Sequence, residues 1–120
     1  MNDEPLSTAK RTKAFALRVI RVFDALPKRG AASVIGRQML RSGTSVGAHC
    51  REAFRGRSDA ELISKLEGAL QELDETIYWL ELLIESGIVR SKRVAPLLKE
   101  ANEIMSILVA SVRTIKNRKR

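Results

Sequence analysis

Apolar residues recur along the chain at steps of three and four, in four stretches set apart by short breaks. That period places them on one face of a helix, and each stretch predicts an amphipathic helix. The first runs from about Ser7 to Leu26, with Phe15, Val19, Val22 and Leu26 in one stripe and Ile20 and Phe23 beside it. Pro27 stops it, and Lys28-Arg29-Gly30 forms the turn.

The second stretch runs from about Ala31 to Arg55, with Ile35, Met39, Val46, Cys50 and Ala53 as its stripe. Small residues interrupt it: Ser42, Gly43, Thr44, Ser45, Gly47 and Ala48. The two glycines, four apart, either let another helix approach closely or mark a kink. The surrounding periodicity favours a continuous helix, in which close packing offsets a cost of roughly 1 kcal/mol per interior glycine.

The third stretch is the clearest. Ser58-Asp59-Ala60-Glu61 reads as a capping box with Ser58 as N-cap and Glu61 reaching back. Leu62, Leu66, Leu70, Leu73, Ile77, Leu80 and Ile84 follow, and Gly87 closes the helix. At about 1.5 Å per residue this is a rod on the order of 43 Å long. The fourth stretch runs from about Ser91 to Lys116, with Val94, Leu97, Ala101, Ile104, Leu108, Val112 and Ile115 in line. Pro96 offers an alternative start, and residues 116–120 read as a fraying tail. Connections of roughly three to six residues make neighbouring helices antiparallel, so the expected fold is an all-α, up-down-up-down four-helix bundle in one domain, residues 1–120.

Composition agrees with helix-on-helix packing. Apolar residues make up 44% of the chain and aromatics only 4%. The polar N-terminus and the lack of a long apolar run predict neither a secretory leader nor a membrane span, which points to the cytoplasm. The lone Cys50 reads as a buried thiol in a reducing compartment.

Charge changes the picture more. The chain carries a net +8, with a pI near 10.3. Residues 1–57 hold twelve Lys/Arg against four Asp/Glu, residues 58–87 one against eight, and residues 88–120 nine against two. One acidic helix thus sits among three basic segments. Its carboxylates either neutralise neighbouring arginines or leave a segregated cationic surface for a polyanion. Arg37 and Arg41, like Arg51 and Arg55, are four apart on one helix face, a spacing that follows a phosphate backbone. The candidate nucleic-acid contacts are Lys10, Arg11, Lys13, Arg18, Arg21, Arg37, Arg41, Arg51, Arg55 and Arg57.

Other chemistry finds little support. His49 is the only histidine, and its neighbour Cys50 points about 100° away on a helix, so the two make no nucleophile–base pair. No metal-ligand spacing, phosphate-binding loop or dinucleotide motif occurs. Glu72, Asp74 and Glu75 read as a solvated face, and Tyr78 and Trp79 as packing or interface residues. The expectation is a non-enzymatic protein without metal or cofactor. Apolar content on the third helix beyond one stripe (Ile63, Leu82, Leu83) suggests a face left for a neighbouring subunit.

The stretch from Gln38 to Ala48, Arg51-Glu52-Ala53, Ser58 to Leu66, Leu73-Asp74-Glu75-Thr76, Tyr78-Trp79-Leu80-Glu81 and Glu85-Ser86-Gly87 occur in one order. Together they resemble the four-helix-bundle family named for proteins encoded in 23S rRNA intervening sequences. The resemblance implies a left-handed up-down bundle that assembles into a ring-like homopentamer. The family includes the accessory variability determinant of diversity-generating retroelements, whose positive outer surface binds nucleic acid and a partner reverse transcriptase. Many relatives carry Asn at the position of His49. Two functions follow as expectations. One is a basic oligomer that binds RNA or DNA through phosphates; the other is a protein-interaction scaffold, such as an accessory subunit of a reverse transcriptase.

Overall fold

The computed structural model describes residues 4–118, with side chains from Thr8 onward; among them it is all-α, with four helices and no strand. Helices α1 (Glu4–Ala25), α2 (Gly30–Phe54), α3 (Asp59–Glu85) and α4 (Ser91–Asn117) form a rod of 49 × 22 × 20 Å. Residues 119 and 120 of the expected fraying tail lie outside the described residues.

Each helix turns its sequence stripe toward the core, although Val22, Ile35, Leu62, Leu70, Ile77 and Ile84 stay half-buried. On α4 all seven stripe residues from Val94 to Ile115 are buried. Phe15 and Val19 of α1, Leu26 just beyond its end, Met39, Val46, Cys50 and Ala53 of α2, and Leu66, Leu73 and Leu80 of α3 close the same core. Ile20 instead stands at the surface.

The helix ends follow local chemistry. Ser58 is extended and its hydroxyl accepts from the Glu61 amide at 3.1 Å. Glu61 reaches back one residue further than a capping box requires, accepting from the Arg57 amide at 2.9 Å. Gly87 takes φ +80°, which a side chain would resist, and lets the Val89 amide donate to Leu83 O. Contrary to the alternative start at Pro96, α4 begins at Ser91, so Pro96 stands exposed in its second turn, where it forgoes one hydrogen bond to the carbonyl of Lys92. The tail also starts later than expected. Helix α4 runs through Asn117, and Lys116 and Arg118 are tied to Glu67 and Asp59 of α3.

Helices α1 and α2 pack in opposite directions. Along α1 and α2, Phe23 and Leu26 lie against Gly36, Val19 against Gly43, and Thr12 against Gly47. Helix α2 is continuous through both glycines singled out from the sequence, and a third, Gly36, extends the same contact line. The seam between α2 and α3 is the broadest and that between α1 and α4 the thinnest. A buried hydroxyl pair locks the broad seam: Thr76 Oγ1 lies 2.8 Å from Ser42 Oγ, which itself donates to Met39 O.

One expectation about the core fails. Helix α3 does not reserve Leu83 for a neighbour, because Leu83 is fully buried within this chain and Ile63 and Leu82 are half-buried. Among the described residues, the large apolar side chains that stay exposed are Leu17, Ile20, Val34, Tyr78 and Val109, spread over all four helices.

Candidate nucleic-acid interface

Acidic side chains neutralise some of the basic surface and leave the rest alone. Arg11 donates through Nε and Nη2 to both oxygens of Glu100, at 3.0 and 2.7 Å, and also to Glu103 at 3.0 Å. These three bonds tie α1 to α4. The Glu100 hydrogen bond, the largest cause, raises the Arg11 pKa further above its ordinary value, against the opposing pull of burial. Arg41 bridges α2 to α3 through Glu75 at 2.9 Å and Glu72 at 3.4 Å. Lys65 pairs with Glu52 at 3.3 Å. The acidic α3 thus ties to α2 and α4, as its sequence suggested, while Arg11 finds its acids on α4.

Two of the ten sequence-derived cations are therefore held by carboxylates. Among the described residues, no carboxylate pairs with the side chain of Lys10, Lys13, Arg18, Arg21, Arg37, Arg51, Arg55 or Arg57. Three of them meet in one place. Lys13 of α1, Arg51 of α2 and Arg55 at the C-cap of α2 line a groove of about 450 Å³ between the two helices. Small residues, Ala16, Gly47 and Ala48, are among those that line it. The groove follows from the packing: Gly47 lets α1 sit close, and Arg51 and Arg55 follow it at four-residue steps along the same face. Glu52 shares the rim but is engaged by Lys65. Lys10, Arg37 and Arg57 are exposed outside this groove, Arg18 is half-buried, and Arg21 belongs to the opposite end of the rod.

A second cationic cluster escaped the sequence reading. Arg90, at the N-cap of α4, and Arg93, in its first turn, share a cavity with Arg21 at the loop end of the rod. No acidic residue occupies the first turn of α4. The run Arg90-Ser91-Lys92-Arg93 belongs to a basic segment of the sequence, but it holds no pair of cations four residues apart on one helix face. Nothing in the sequence says that Arg21 lies beside it. Lys28, also at this end, sits 4.9 Å over the ring of Phe23.

The remaining reactive groups are quiet. Cys50 is fully buried, and burial pushes its thiol up to about 12. His49 lies 3.7 Å from Glu52 and 3.8 Å from Glu72. Among the described residues no group of three or more His, Cys, Asp or Glu is placed to hold a metal ion, and no helix is long and apolar enough to cross a membrane. What the surface can do is hold anions.

Fold and surface together define a basic, all-α, four-helix protein. Residues 4–110 match the family model of the 23S rRNA-intervening sequence protein, and the chain belongs to that family. A crystal structure of a protein of unknown function from the S23 ribosomal protein family of Bacteroides thetaiotaomicron is similar to it, with a TM-score of 0.86 and 34% identity over 92% of this chain and 98% of that one. Comparison with curated proteins gives no significant match.

Proposed function

We propose that this protein is a non-enzymatic, cytoplasmic, up-down-up-down bundle that assembles into a ring-like homopentamer and binds RNA or DNA through phosphate contacts. The observation that carries the binding reading is the α1–α2 groove, where Lys13, Arg51 and Arg55 stand together without carboxylate partners among the described residues. The acids of α3 engage Arg41, Lys65 is held by Glu52, and the acids of α4 engage Arg11, so the groove keeps its charge. Guanidinium and ammonium groups along a narrow groove match successive phosphates and read no bases, so affinity comes mainly from counterion release.

Assembly is supported by the apolar side chains left outside the core, among them Leu17 on α1, Val34 on α2 and Val109 on α4. The same exposed residues favour a second reading, a scaffold that docks a protein such as a reverse transcriptase.

The test is a mobility-shift titration with mixed-sequence RNA and DNA, run beside light scattering. Binding at low salt that weakens steeply between about 50 and 200 mM supports the proposal. Failure to bind at low salt overturns it in favour of the scaffold, and a single-chain mass in light scattering removes the pentamer.

A further inference from the structure

The cavity at the loop end of the rod is built differently from the α1–α2 groove. Arg21 reaches it from the end of α1, and Arg90 and Arg93 from the start of α4. The half-buried Val22, Ile88 and Val89 are among the apolar residues that line it, and no acid does. Every ion pair among the described residues lies elsewhere on the molecule. Three guanidiniums gathered without a counter-charge repel one another, and an anion seated among them would relieve that repulsion.

Charge and shape narrow the choice of anion. A phosphodiester within a strand carries one negative charge. A phosphate monoester carries about −1.5 to −2 at pH 7 and offers three acceptor oxygens. It is the closer match to three forked donors. The apolar wall offers nothing to a phosphate but suits the face of a sugar and base. The cavity measures about 380 Å³, near the small end of the roughly 300–1,000 Å³ typical of ligand sites, which suits a single nucleotide.

We propose that this cavity binds the phosphorylated end of a nucleic-acid strand, with Arg21, Arg90 and Arg93 clamping the terminal monoester and Val22, Ile88 and Val89 bedding the terminal nucleoside. The inference rests on the nucleic-acid reading above and adds a preference for strand ends to it.

The experiment measures fluorescence anisotropy with one short single-stranded RNA in three forms: 5′-phosphorylated, 3′-phosphorylated, and hydroxyl at both ends. A nucleoside monophosphate serves as competitor, and a phosphoserine peptide is titrated in parallel. One phosphorylated form should bind about tenfold tighter than the hydroxyl form, the scale of a single charge-assisted hydrogen bond. The double variant Arg90→Gln/Arg93→Gln should abolish that preference, and Arg21→Gln, on a different helix, should do the same. Lys13→Gln/Arg51→Gln should weaken all three forms alike and keep the preference.

If no form binds at low salt, the nucleic-acid reading falls and takes this inference with it. If all three forms bind equally well, the end clamp alone is wrong. Competition by the monophosphate as effective as by the phosphorylated strand overturns the strand-end assignment in favour of a free nucleotide. Binding of the phosphopeptide that depends on Arg90 and Arg93, without a preference among the RNAs, overturns it in favour of a protein partner.

Discussion

A β-carbon on Gly43 would stand 2.8 Å from Cγ1 and 2.9 Å from Cγ2 of Val19. Helices α1 and α2 therefore meet where α2 has no side chain. Val19 is fully buried and branched at Cβ, so it cannot swing aside. Gly43→Ala should destabilise the protein by roughly 1–3 kcal/mol through overpacking, minus up to about 1 kcal/mol of improved helix propensity. Gly47→Ala should be nearly neutral, because its added carbon would meet Thr12 Oγ1 at 3.3 Å. Urea denaturation of the two variants, with Val19→Ala as a rescuing partner for the first, checks this.

The buried hydroxyls of Ser42 and Thr76 join α2 to α3 at 2.8 Å. Thr76→Val should cost about 1 kcal/mol, since Ser42 keeps its bond to Met39 O. A double-mutant cycle with Ser42→Ala should return a coupling of about 0.5–1.5 kcal/mol. A coupling indistinguishable from zero would show that the two hydroxyls do not act as a pair.

Arg11 and Arg51 should separate stability from binding. Arg11 is engaged by Glu100 and Glu103, so Arg11→Ala should lower stability by up to about 1 kcal/mol, less at high salt, and hardly alter RNA affinity. Replacing Lys13, Arg51 and Arg55 by Gln should leave the melting temperature unchanged. It should also flatten the plot of log affinity against log salt by about 2 for a single strand, which is three phosphate contacts.

Alkaline unfolding should carry the signature of Cys50. Its thiol pKa stands at about 12 in the fold against an ordinary 9.0. As pH rises, the unfolded chain releases this proton first. The contribution to stability is complete below pH 9 and disappears on the way to pH 12. Across that window Cys50→Ala should lose stability less steeply than the parent, by about 1.4 kcal/mol per pH unit. Equal slopes would mean that the thiol ionises as easily inside the fold as outside.

Much of this architecture can be read in the chain. The stripe on α4 is the buried set, residue for residue, because a seven-residue apolar repeat leaves no second face to choose. Ser58 and Gly87 mark ends of α3 because capping is local chemistry. The surface was harder to read. Arg41 and Arg51 look alike in sequence, yet Arg41 lies against Glu75 across a helix seam and Arg51 lies in an open groove. That difference depends on the rotation of one helix against the next, which spacing within a helix does not record. For the same reason, Arg21 and Arg93 could not be recognised as neighbours, and Gly36 could not be recognised as part of the α1 contact line.

Tyr78 and Trp79 stand edge to face with ring centroids 5.2 Å apart. They are the sole tyrosine and tryptophan of the chain. Over so short a gap, light absorbed by the phenol passes to the indole, so the molecule emits as a single chromophore on α3. Its glow reports the surroundings of that helix alone. A colour change on mixing with another macromolecule would place the newcomer on the α3 side, and an unchanged spectrum would send the search to the other flanks.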